Sequence, residues 1–143
     1  MLNIIIDLDD DISSYSMGYM VFEGDKKTIN SKELEPPQQM MVFFSIVEIL
    51  DGLRKFCLSD KVKKYEFIGV DSSFAICFEK IEKNTVKVSH QKVEISNMSM
   101  TDLIKSILNN IKYFSDNVCS KIDRDELIYE DLIGSIKEFQ AIE

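Results

Sequence analysis

Leu2, Ile4, Ile6 and Leu8 alternate with Asn3, Ile5, Asp7 and Asp9, a period of two that predicts a first strand. Asp10 to Ser16, rich in Asp and Ser, reads as a turn. Gly18 to Glu23 makes a second strand, closed by Gly24-Asp25-Lys26-Lys27, and Thr28-Ile29-Asn30 offers a short third. Pro36-Pro37 falls in the loop Glu33 to Gln39, where it ends an extended segment and prepares a helix start. That helix, from about Gln38 to Leu58, carries the strongest signal in the chain. Ser45, Glu48, Asp51/Gly52 and Lys55 form one narrow polar stripe. Met40, Val42, Phe43, Phe44, Ile46, Val47, Ile49, Leu50, Leu53 and Phe56 surround it. A helix this apolar must be covered on most sides, so it is expected to lie across a sheet with another helix or loop on its flank.

Three further strands are predicted at Tyr65–Val70, Phe74–Ile81 and Thr85–His90, with Asp71-Ser72-Ser73 and Lys83-Asn84 as hairpin-like connections. Apolar parity flips between Val86/Val88 and Val93/Ile95, which places a bulge or turn near His90-Gln91-Lys92. Ser99-x-x-Asp102 starts a helix whose stripe of Ile104, Ile107, Leu108, Ile111, Phe114 and Val118 runs to about Lys121. Asp123-x-x-Glu126 has the form of a second capping box, opening a helix with Leu127, Ile128, Leu132, Ile136 and Phe139 on its apolar side. Glu130, Asp131 and Glu138 fall on its exposed side. The order is therefore β-β-α-β-β-β-α-α. Strands clustered in hairpins argue for an α+β fold, a largely antiparallel sheet packed against a buried central helix. The 143 residues suit a single domain.

Charge changes this picture more than bulk composition does. The net charge is −8. Nine acids against three lysines leave residues 1–50 at −6, six acids against nine bases leave residues 51–92 at +3, and ten acids against five bases leave residues 93–143 at −5. Such ends repel phosphate backbones, so direct nucleic-acid binding is not expected, whereas a basic protein partner is. Cys57, Cys77 and Cys119 show no C-x-x-C spacing and their count is odd, which predicts buried free thiols in a reducing compartment, by default the cytoplasm. The longest apolar run, Met40 to Leu50, is too short to span a bilayer, and a signal peptide is not expected at an N-terminus that runs directly into aspartates.

The segment Asn3-Ile4-Ile5-Ile6-Asp7-Leu8-Asp9-Asp10-Asp11 carries the one near-catalytic motif. Apolar residues leading into Asp-x-Asp resemble the opening of haloacid-dehalogenase-type phosphatases, in which the first Asp attacks phosphorus and the second is general acid/base. That resemblance would make Asp7 and Asp9 the core of a small phosphate-handling hydrolase. The family's Thr or Val is replaced by Asp11, and residues 13–35 show no helical crossover. Phe67-Ile68-Gly69-Val70-Asp71 lacks the second acid that the family places at a later strand end. The reading preferred is an edge strand entering an acidic loop. His90, the sole histidine, has no metal-ligand neighbour, and neither a P-loop nor a G-x-G-x-x-G is present. No catalytic residue, metal or cofactor is therefore assigned. The two densest acid clusters become the candidate contacts for a partner: Asp9, Asp10 and Asp11, and then Asp123, Asp125, Glu126, Glu130 and Asp131.

The start Met1-Leu2-Asn3-Ile4, the segment Ser14-Tyr15-Ser16-Met17-Gly18-Tyr19-Met20, the run Met40-Met41-Val42-Phe43-Phe44 and Leu50-Asp51-Gly52-Leu53 resemble small bacterial immunity proteins. These accompany polymorphic toxins, including those of contact-dependent growth inhibition. The resemblance implies a non-enzymatic protein that binds the C-terminal domain of a cognate toxin, commonly a nuclease, and blocks its active site or substrate surface.

Overall fold

The computed structural model describes residues 1–8, 12–82 and 84–142. Its fold is α+β. Strand β1 (Asn3–Leu8) pairs antiparallel with β2 (Met17–Glu23), whose other side carries β3 (Thr28–Asn30) and the two-residue β4 (Met40–Met41). A second antiparallel sheet follows the order β5 (Lys64–Ile68), β6 (Ala75–Glu82), β7 (Thr85–His90) and β8 (Val93–Ser99). The strands therefore form two sheets where the pattern had suggested one. The sheets meet through aromatic packing, with Phe22 of β2 at 6.1 and 5.9 Å from Phe67 and Phe74.

Helix α1 (Val42–Leu58) is the central element expected from its apolar circumference. It packs against β5 and against α3 (Tyr129–Gln140), the flank cover its sequence requires. Phe43, Ile46, Ile49, Leu53 and Phe56 are fully buried. It begins at Val42, not near Gln38, because Met40 and Met41 are drawn into pairing with Gly18 and Met17. Its polar stripe is only partly a solvent face. Ser45 is buried and accepts from the Val70 N–H at 2.9 Å. A Cβ on Gly52 would come within 2.1 Å of the Tyr65 ring, so glycine lets that ring lie against the helix, its hydroxyl donating to the Glu48 carbonyl at 3.0 Å. Lys80 closes the C-terminus, donating to the carbonyls of Phe56 and Ser59 at 2.7 and 2.8 Å.

The parity flip is resolved by two features. Gln91 and Lys92, with φ of 47° and 69°, form the β7–β8 turn. The β7–β8 register then shifts, Val88 facing Ser96 and Ser89 facing Glu94, so Ile95 is the extra residue of a bulge. The Ile95 carbonyl accepts from Lys26 and Lys27 N–H at 2.9 and 3.2 Å, docking the β2–β3 turn onto the second sheet. The Ser96 hydroxyl donates to Asp25 at 2.5 Å beside it, which holds the Asp25 carboxyl below its usual range, and Lys26 pairs with Glu94.

Helix α2 (Met100–Asn117) closes the open edge of β1. Ser106, Asn110 and Tyr113, spaced to share one helix face, accept from the N–H groups of Leu2, Ile4 and Ile6 at 3.1, 3.0 and 3.3 Å. Asn110 also donates to the Leu2 carbonyl at 3.0 Å. An edge strand is thereby blunted by side chains.

Candidate functional site

The acids predicted around 123–131 are placed by a clasp between two loops. The residues after α2 do not open a helix at Asp123. They turn twice, Glu126 N–H donating to the Asp123 carbonyl and Tyr129 N–H to the Glu126 carbonyl, both at 3.1 Å, and α3 starts at Tyr129. Glu126 does not cap its own helix as the capping-box spacing predicted. Its carboxylate accepts from the Ser14 N–H at 2.5 Å, and the Ser14 hydroxyl accepts from the Ile128 N–H at 3.2 Å. Glu126 is thus a structural clasp, while Asp123, Asp125, Glu130 and Asp131 are exposed. Asp9, Asp10 and Asp11 lie outside the described residues.

Beside this clasp a groove of about 380 Å³ runs between α1 and α3. Val47 and Asp51 line it from α1, and Glu130, Asp131, Gly134, Ser135 and Glu138 from α3. Every titratable side chain lining it is an acid. Arg54 and Lys55, three and four residues past Asp51, and Lys137, one before Glu138, are the cations nearest in sequence and are not part of the lining. A Cβ on Gly134 would meet nothing within 4 Å. Glu130 and Asp131 are expected as contacts from the sequence, and Glu138 only as exposed. Asp51 reads only as part of the α1 polar stripe, because the pairing of α1 with α3 is a tertiary fact that neither helix states.

The clasped loops also carry two exposed large apolar side chains. Tyr15 is 58% exposed and Leu127 72%. The Tyr15 ring stacks on half-buried Phe44 of α1 at 5.9 Å. The loop is tightly held: Ser13 N–H donates to the Ser16 hydroxyl at 2.8 Å, Ser16 N–H to the Ser13 carbonyl at 3.2 Å, and Tyr15 N–H to the Ser13 hydroxyl at 3.2 Å. The serines that read as turn formers are the rivets of this loop.

The remaining candidates are differently built. A larger concavity of about 580 Å³ lies on the second sheet, but its charges alternate, Lys64, Lys87 and Lys92 against Glu66 and Glu79, with Lys87 and Glu79 paired at 3.6 Å. It has no dominant sign with which to select a charged partner. His90, at its margin, is 6% exposed, donates from Nδ1 to the Ala75 carbonyl at 3.0 Å and stacks on Phe74 at 5.6 Å. All three cysteines are free, and burial pushes the Cys57 and Cys119 thiols up to about 11 and raises that of Cys77. Asp7 points its carboxylate to Lys32 at 3.7 Å, and the chain after β1 returns antiparallel as β2 where the phosphatase motif would need a helical crossover. Among the described residues, no group of three or more His, Cys, Asp or Glu could hold a metal ion, and no helix is long and apolar enough to cross a membrane. The chain matches no family model, no curated protein and no solved structure.

Proposed function

We propose that this chain is an immunity-type protein that binds and neutralises a cognate bacterial toxin domain in the cytoplasm by protein–protein association. The observation that carries the reading is the α1–α3 groove with its all-acidic titratable lining of Asp51, Glu130, Asp131 and Glu138. Asp123 and Asp125 are exposed as well, and Asp9 to Asp11 add to the negative charge of the chain. A surface of one sign selects a partner of the other and penalises wrong ones. The partner is a nuclease domain, because a nucleic-acid site is cationic and carboxylates can take the place of phosphates there. The sequence resemblance to immunity proteins points the same way.

Co-expression with the C-terminal domain of a cognate toxin, sought in the gene immediately upstream, tests this. The chain is expected to co-purify with that domain and to restore growth of cells expressing it. Continued growth arrest, with no complex recovered, would refute the reading.

A further inference from the structure

We infer that β5 is the edge through which this protein pairs with a second copy of itself: two β5 strands join antiparallel about a two-fold axis through Tyr65, so that Lys64 of each lies opposite Glu66 of the other. The inference goes beyond the proposed function and does not rest on it. It starts from the phase of the β5–β6 ladder. The Lys80 N–H donates to the Lys63 carbonyl and the Gly69 N–H to the Phe74 carbonyl, both at 2.9 Å. In an antiparallel ladder only alternate pairs exchange hydrogen bonds, so in this register the bonded pairs between those two are Tyr65/Phe78 and Phe67/Ile76. The N–H and C=O groups of Lys64, Glu66 and Ile68 therefore turn away from β6. Val70 continues the same outward row and is filled: its carbonyl accepts from the Met41 N–H and its N–H donates to the Ser45 hydroxyl, both at 2.9 Å. Among the described residues, no hydrogen bond from another segment reaches the outward groups of Lys64, Glu66 or Ile68, and all three residues are exposed.

The other edges are closed or short. β1 is covered by Ser106, Asn110 and Tyr113 of α2. β8 is covered by the β2–β3 turn, where Lys26 and Lys27 donate to the Ile95 carbonyl and Asp25 accepts from the Asn97 N–H. β3 has three residues. The five residues of β5 are left as a template for another strand. Charge chooses which strand. An edge of one sign would repel its own copy, whereas Lys64 and Glu66, two apart on one face, are complementary to themselves under a two-fold. Outward groups must meet outward groups, so few registers exist. An axis through Lys64 or through Glu66 sets like charges opposite each other. An axis through Phe67 sends Lys64 against Val70, whose groups are already taken. The axis through Tyr65 matches Lys64 with Glu66 twice. The net charge of −8 opposes any association of copies, and it opposes least on this sheet, where Lys64 and Lys87 lie among Glu66 and Glu79.

The test uses the intact chain alone. Sedimentation from micromolar to millimolar concentration should show a monomer–dimer equilibrium. Over the same range, hydrogen exchange should slow at the Lys64 and Glu66 amides, while those of Tyr65 and Phe67, already bonded to β6, respond far less. Glu66→Lys or Lys64→Glu alone sets like charges opposite each other and should weaken dimerisation by roughly tenfold or more, with the melting temperature little changed because both positions are exposed. The double exchange Lys64→Glu, Glu66→Lys should restore it. A chain that stays monomeric throughout, a dimer whose amide protection falls elsewhere, or a double exchange that fails to restore pairing would each overturn the inference. Protection of these amides only when the toxin domain is added would give the edge to the toxin and overturn the second copy as its occupant.

Discussion

Phe44 and Leu50 stand six residues apart on α1, about 1.7 turns, and look alike in the sequence, yet they fall on different faces and their surroundings differ. Leu50 is 1% exposed in the core, while Phe44 is half-buried with Tyr15 over it. Leu50→Ala should therefore cost about 2–5 kcal/mol through transfer and cavity terms. Phe44→Ala should cost less, roughly 1–2 kcal/mol, because part of its surface is already wet. Chemical denaturation compares them; equal losses would mean that the Tyr15 loop buries Phe44 far more in solution. The thiols make a pH prediction. With Cys57 and Cys119 near 11 in the fold against 9.0 for a free thiol, the unfolded chain loses these protons first as pH rises. Their contribution to stability is then whole below pH 9 and is lost as pH climbs from 9 toward 11. Tyr65, whose hydroxyl burial also raises, adds to the same alkaline loss. Melting temperatures that stay flat from pH 8 to 11, or rapid labelling of Cys57 and Cys119 in native protein at pH 8, would contradict this.

Single elements were legible where one periodicity decided them. The alternation of Leu2, Ile4 and Ile6 and the apolar circumference of α1 both identify the elements that form. Elements were misread where a partner from elsewhere decides. Asp123-x-x-Glu126 has capping-box spacing, but Ser14 offers Glu126 a different N–H, and the helix starts six residues later. The parity flip announced both a turn and a bulge, yet only the structure shows that the bulge exists to present the Ile95 carbonyl to the β2–β3 turn. The polar face of α2 was silent for the same reason: Ser106 and Asn110 interrupt an apolar stripe, and their role requires knowing that β1 lies beside them. Asn110→Ala would strip the Ile4 N–H and the Leu2 carbonyl of partners in a buried place. It should cost about 1–3 kcal/mol and speed amide exchange at Ile4 more than at core positions of β6. Unchanged exchange at Ile4 would mean that β1 does not depend on this closure.

At the scale of the whole molecule, the uneven charge read from sequence acquires a place. Glu130, Asp131 and Glu138 of the C-terminal third gather with Asp51 along the α1–α3 groove, and Lys64, Lys87 and Lys92 of the middle third lie among Glu66 and Glu79 on the β5–β8 sheet. Two of the four segments that carried the resemblance also meet in space: Met17 and Gly18 pair with Met41 and Met40, and Tyr15 stacks on Phe44. The groove could not be read from one stretch of chain, since it is made by two helices whose contact no local pattern encodes. Stopped-flow association with the cognate toxin domain tests most directly the proposal that this acidic face recruits a cationic partner. Exposed charges interact over about 10 Å at 0.1 M salt and much further at 0.01 M, so the association rate should fall roughly tenfold or more across that range. The Glu130→Lys, Asp131→Lys, Glu138→Lys variant should associate slowly even at 0.01 M, with its melting temperature little changed. A rate indifferent to salt and to these three reversals would contradict the account.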